Sequence, residues 1–162
     1  MTPPAGRWCP STTSTLTCAR TEQANERAAS ALEQEHVRID ASTCLVIGNG
    51  GSARAIAATL VSRGARIIIT GRNAERISGL ASAIGGPEPA RALLLGDIDR
   101  GIMDEVDIVI NTTPVGMAPR EDAVPISEDL LQPRHAVCDI VYAPHTTRLL
   151  AAARQRGCVI VH

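Results

Sequence analysis

Cys44-Leu45-Val46-Ile47-Gly48-Asn49-Gly50-Gly51-Ser52-Ala53-Arg54-Ala55 is the stretch that decides the fold. An apolar run enters a glycine-rich turn, and the turn opens a helical pattern. Ala53, Ile56, Ala57 and Leu60 recur at i, i+3, i+4 and i+7. Glycine lets the backbone turn sharply and approach a ligand closely, and the free N–H groups of the next helix then face an anion. No acidic side chain interrupts the turn. Alone, the same pattern also serves as a plain strand-to-helix connection.

The next signal lies 23 positions beyond Gly48, where the run Ile67-Ile68-Ile69-Thr70 ends in Gly71-Arg72. An acidic residue there would bind a ribose hydroxyl, whereas an arginine favours a ribose 2′-phosphate. Arg72 and Arg76 stand four apart at the opening of a helix for which Asn73 is the expected N-cap. Guanidinium forks suit phosphate oxygens, so the pair can share one phosphate; the alternative is two solvated surface arginines. Gly71, bare of a side chain, leaves room for that phosphate. The residues therefore read as an NADP site. Pyrophosphate is expected on the turn from Gly48 through Asn49, Gly50, Gly51 and Ser52 to Ala53, and the 2′-phosphate on Arg72 and Arg76.

Further along, apolar runs alternate with helical spacing. Strands are expected at 44–48, 66–70, 92–96, 106–111, 136–141 and 158–161. Ile77, Leu80, Ala81 and Ile84 mark a second helix, 98–104 and 127–131 shorter turns, and Leu149, Leu150 and Ala153 a last helix ending at Gly157. Six short strands interleaved with helices predict an α/β fold, a doubly wound parallel sheet of the Rossmann type. A helix is also expected from about 20 to 36, with Ala24, Ala28, Ala31 and Leu32 on one face. Residues 1–19, rich in Pro, Thr and Ser, read as an irregular lead. The expected division is thus 1–19 lead, 20–41 helix and linker, and 42–162 the dinucleotide-binding domain.

Composition narrows the class. Hydrophobic residues make up 44% of 162, yet Trp8 and Tyr142 are the only aromatics, so Ala, Val, Ile and Leu must build the core. A net charge of −1 argues against a general nucleic-acid or membrane-surface binder. No apolar stretch of 15–20 residues occurs, which predicts neither a membrane span nor a secretory segment and makes the cytoplasm the default. The five cysteines, Cys9, Cys18, Cys44, Cys138 and Cys158, match no zinc spacing, and their odd number suits a reducing compartment. No metal site is expected. All 16 basic residues are arginine.

Two loops complete the candidate site. Asn111-Thr112-Thr113-Pro114-Val115-Gly116-Met117 follows the fourth strand, and Asp139-Ile140-Val141-Tyr142 leaves the fifth. In a doubly wound sheet, ligands bind at the carboxyl ends of the strands. The first loop is expected beside the ribose and nicotinamide, unless its Thr and Asn side chains simply cap their own turn. Tyr142 at a strand end can hydrogen-bond a substrate, or pack with its hydroxyl in water.

These four motifs, in this order, resemble the shikimate dehydrogenase family of NADP-dependent oxidoreductases. The family's Gly-Ala-Gly-Gly-Ala-x-Arg-Ala corresponds to Gly48 to Ala55, with Asn49 and Ser52 as differences. Its Asn-Arg-Thr-x-x-Arg corresponds to Gly71 to Arg76, its Asn-Ala-Thr-Pro-Val-Gly-Met to Asn111 to Met117, and its Asp-x-Val-Tyr-Asn-Pro to Asp139 to Pro144. The resemblance covers about residues 42–162. It implies 3-dehydroshikimate reduction by NADPH in aromatic amino-acid biosynthesis. It also implies a 2′-phosphate contact from Asn73, cofactor contacts from Thr112, Thr113, Pro114, Val115 and Ile140, and a substrate contact from Tyr142.

The same resemblance implies parts that this sequence does not match. Residues 1–41 carry no counterpart of a substrate lobe, and 162 residues without a lysine hold no counterpart of the family's catalytic lysine. Thr21 to Asn25, near the place of the catalytic aspartate, contains no Asp. No residue here is assigned to catalysis; His145 is a weak candidate base, since histidines at helix starts are common on surfaces. The expectation is an NADP-binding domain incomplete for catalysis alone, partnered by NADP(H), a shikimate-like small molecule, and a second copy or a complementing substrate lobe. A non-catalytic NADP(H)-binding module or degenerate paralogue is the alternative.

Overall fold

A computed structural model describes residues 27–86 and 88–161. The expected lead over 1–19 and the beginning of the expected 20–36 helix lie outside the described residues. Helix α1, described over 27–34, precedes β1 (Thr43–Ile47), α2 (Gly51–Ser62), β2 (Arg66–Gly71), α3 (Ala74–Ala83) and β3 (Arg91–Leu94). Then follow α4 (Arg100–Glu105), β4 (Ile108–Asn111), β5 (Ala136–Asp139), α5 (Arg148–Gln155) and β6 (Val159–Val161). Single 3-10 turns occupy Leu95–Asp97 and Glu128–Leu130.

The strands form one sheet in the order β3-β2-β1-β4-β5-β6, and every pair is parallel. This is the doubly wound order, with its switch between β1 and β4. Alternation along the strands explains the two layers of helices. Cys44, Val46, Ile67, Ile69, Ile108 and Ile110 point to one face, where α1, α2 and α3 cover them through Ala29, Leu32, Ile56, Leu60 and Ile77. Leu45, Ile47, Ile68, Val109 and Val137 point to the other, against Met103 of α4 and Leu149, Leu150 and Ala153 of α5. Burying both faces is why these strands read as unbroken apolar runs. Each fully buried Ile or Leu contributes about 1.5–3 kcal/mol.

Helix ends follow local chemistry. Asn73 accepts from the Arg76 N–H at 2.9 Å and Asp99 from the Ile102 N–H at 2.9 Å, as N-cap residues do. After α1, the Val37 N–H reaches the Leu32 carbonyl and the His36 N–H the Glu33 carbonyl, a double-bonded helix stop. His36 sits there at φ +59°, where glycine is usual.

All six expected strands form, and they differ from expectation at their ends. β1 stops at Ile47 because Gly48 turns away at φ +127°. Leu95 leaves β3 for a 3-10 turn, and Val106 belongs to the end of α4 rather than to β4. Ile140 and Val141 lie beyond β5, which ends at Asp139. Residues 127–131 make one 3-10 turn. Three cysteines fall where apolar residues belong: Cys44 in β1, Cys138 in β5, and Cys158 just ahead of β6, all free and buried.

Candidate functional site

In-register pairing brings the carboxyl ends of the central strands level. Ile47 is opposite both Thr70 and Asn111, and Asn111 is opposite Asp139. The sequence-expected residues therefore collect on one rim of the sheet, on four successive loops.

At the first loop, Gly48 is a glycine of necessity. A Cβ there would lie 2.4 Å from Thr112 Oγ1, in a backbone conformation at φ +127° that side chains disfavour. The close approach is held by hydrogen bonds: Gly48 N–H to the Thr70 carbonyl at 2.8 Å, and Thr112 N–H and Oγ1 to the Ile47 carbonyl at 2.9 and 2.7 Å. Gly50 and Gly51 differ, because added Cβ atoms would meet nothing within 4 Å. Gly50 caps α2 without a side-chain hydrogen bond, and no acidic residue occupies the first turn. Twelve aligned residues thus end in uncapped N–H groups beside open space, with Ser52 half-buried and Ala53 buried beneath.

One strand over, Arg72 and Arg76 are exposed, and among the described residues neither guanidinium has a hydrogen-bond or ion-pair partner. Asn73 has spent its side-chain oxygen on the helix cap. At Gly71 a Cβ would lie 3.0 Å from Ile77 Cγ2, so its bareness also lets α3 pack. The same Cβ position is 3.8 Å from Asn49 Nδ2, which brings the Asn49 side chain from the first loop toward the second.

The third and fourth loops share a buried polar network. Asn111 donates to Asp139 Oδ1 at 3.0 Å and to the Val115 carbonyl at 3.2 Å, and its own Oδ1 accepts from Thr113 N–H and Oγ1. Asp139 also accepts from the Val141 N–H at 3.0 Å and from Thr147 Oγ1 at 2.7 Å. Thr112 and Thr113 therefore use their hydroxyls to hold the loop, while Pro114 is exposed and Val115 half-exposed on its outer side. Burial pushes the Asp139 carboxyl above its usual range, against the opposing pull of the Thr147, Val141 and Asn111 hydrogen bonds. Ile140 is half-buried, packed against the α2 side of the core. Tyr142 is 83% exposed, so its ring does not pack.

The sequence reading missed the joint roles of Asp139 and Thr147. The available signal was two polar residues, Asn111 and Asp139, each closing an apolar run of three. His135 is fully buried at the opposite end of the sheet. Its Nδ1 accepts from the Gln132 N–H at 3.1 Å, which leaves Nε2 to donate to the Met103 carbonyl at 3.1 Å. Burial, ahead of the raising effect of that Met103 hydrogen bond, holds its pKa below the usual 6.5. A cavity of about 420 Å³ opens at this same far end, beside Asp107 and Arg134.

Comparison with known proteins agrees with this geometry. The family model of shikimate / quinate 5-dehydrogenase matches residues 27–120. A shikimate dehydrogenase (NADP(+)) from Moorella thermoacetica is 38% identical over 122 residues, covering 72% of this chain and 41% of that protein. A crystal structure of a shikimate dehydrogenase in complex with NADP+ superposes with a TM-score of 0.76 at 32% identity, over 87% of this chain and 49% of that one. The quinate dehydrogenase from Corynebacterium glutamicum in complex with NAD gives a TM-score of 0.76 at 27% identity, over 85% of this chain and 50% of that one. The chain spans about half the length of the relatives it matches. With motifs, sheet order and family model in agreement, the chain belongs to the shikimate / quinate dehydrogenase family.

Proposed function

We propose that this chain binds NADP(H) as the dinucleotide-binding unit of a shikimate- or quinate-type dehydrogenase. One observation carries the reading. The uncapped N-terminus of α2, open around Gly50 and Gly51, lies one strand from two arginines with no partner among the described residues. The backbone N–H groups from Asn49 to Ala53 would hold the pyrophosphate, and Arg72 and Arg76, with Asn73 between them, the ribose 2′-phosphate. Thr112 to Val115 and Ile140 would flank the nicotinamide end, with Tyr142 offered to the substrate. When bound, the dinucleotide supplies hydride transfer; these residues bind, orient and shield it. Solved relatives are complexes with NADP+ and with NAD, and the arginine pair favours the phosphorylated form here.

Residues 42–162 form the dinucleotide domain in this reading, entered through the 20–41 helix and linker. A 3-dehydroshikimate or 3-dehydroquinate type of substrate would meet it on the Tyr142 side. Among the described residues no helix is long and apolar enough to cross a membrane, and a cytoplasmic role fits a biosynthetic reductase. A second reading is a non-catalytic NADP(H)-binding module or degenerate paralogue, which the rim itself favours: its buried carboxylate, Asp139, is committed to three structural hydrogen bonds.

Fluorescence titration tests the proposal. The chain should quench or shift NADPH emission saturably and respond to NADH more weakly. No NADPH binding would overturn it. An absorbance assay with NADP+ and shikimate or quinate then separates the readings: turnover supports the dehydrogenase, and binding without turnover supports the module.

A further inference from the structure

We propose that Asp139 and Thr147 are positioning residues, which lock the loop after β4 to the loop after β5 and so fix the surface offered to the nicotinamide end of the dinucleotide. The inference rests on the NADP reading of the rim. Its basis is an unbroken chain of hydrogen bonds. Asn111, fully buried, ties Val115 and Thr113 to Asp139, and Asp139 passes the connection to Thr147 at 2.7 Å. Thr147 in turn caps α5, accepting from the Leu150 N–H at 3.4 Å.

Packing leads to the same residue independently. Gly116 turns at φ +95°, and a Cβ there would lie 3.4 Å from Thr147 Cβ. Thr147 therefore lies beside the loop after β4, where a side chain at Gly116 would press on it, as well as being joined to that loop through the network. The Asp139 carboxylate is suited to the node, since both of its oxygens accept and three donors converge on them. An amide in its place would turn an N–H2 toward one of those donors. Satisfied buried networks of this kind hold one arrangement, which is what a loop flanking a reacting ring requires.

The test uses Thr147→Val, which removes the hydroxyl at nearly constant volume, and Thr147→Ser, which keeps it. Two ligands are titrated: NADPH, and adenosine 2′,5′-bisphosphate, which reaches only the arginine and glycine-turn end. Amide hydrogen exchange of residues 112–117 is followed in the ligand-free chain. Thr147→Val should weaken NADPH about three- to tenfold, the worth of one hydrogen bond, leave the bisphosphate unchanged and speed exchange in 112–117. Thr147→Ser should restore all three to wild-type values. Unchanged NADPH affinity in Thr147→Val, or an equal loss for both ligands, overturns the proposal while leaving the NADP reading intact. Wild-type chain that binds neither ligand overturns the NADP reading, and the positioning role with it.

Discussion

Asn111 donates its side-chain amide to Asp139 Oδ1 at 3.0 Å, and the same two residues are the register pair that closes β4 against β5. A backbone alignment and a side-chain bond thus fix one point. Asp139→Ala would strand the Asn111 amide, the Val141 N–H and the Thr147 hydroxyl without an acceptor. It should cost about 2–4 kcal/mol in urea unfolding, given the price of unsatisfied buried donors. The folded-state pKa of Asp139 lies above the usual 3.8, so between these values the folded chain holds the proton more tightly than the unfolded one. Its contribution to stability therefore falls as pH rises from 3.8 through the folded pKa, and the Asp139→Asn variant should lack that slope.

Glycines of the first turn separate into two kinds. Gly48→Ala forces a methyl to within 2.4 Å of Thr112 Oγ1 at an unfavourable φ, and should destabilise the chain by more than about 2 kcal/mol. Gly50→Ala and Gly51→Ala meet no neighbour, so melting temperatures should stay near wild type while NADPH affinity falls. Equal melting losses for all three variants would show that the open space around Gly50 and Gly51 is illusory.

Arg72→Ala should weaken NADPH by about 1–3 kcal/mol, the worth of a charge-assisted hydrogen bond, and leave NADH nearly unchanged. Paired titrations of both nucleotides measure the difference. The same loss for each would show that Arg72 does not read the phosphate.

His135 predicts an acid-side weakness. Its folded pKa is depressed below 6.5, so below that value the unfolded chain takes up a proton that the buried imidazole resists. The stability it contributes is present above pH 6.5 and is lost as pH falls below it. Unfolding free energies measured from pH 7.5 down to 5 should fall more steeply for wild type than for His135→Gln.

The central strands were legible because burial on both faces makes their middles apolar: Ile67-Ile68-Ile69 and Ile108-Val109-Ile110 need no long-range knowledge to be read. Their ends were less so, since Gly48 and Leu95 leave the sheet through backbone turns that apolar content does not announce. The glycine turn, the arginine pair and the Asn73 cap are local patterns, and the sequence placed them on the right elements. The fit of Gly71 against Ile77 was not legible, because it comes from packing across a turn. The bond between Asn111 and Asp139 joins residues 28 apart through strand register, and no local spacing encodes it.

Cys44 and Cys138 lie in the sheet interior, where burial pushes both thiols up to about 12. At neutral pH almost none of either sulfur is thiolate, so an alkylating reagent finds no nucleophile in the closed sheet. The rate at which these two sulfurs are labelled is consequently a clock for the opening of β1 and β5, built into the chain without any introduced probe.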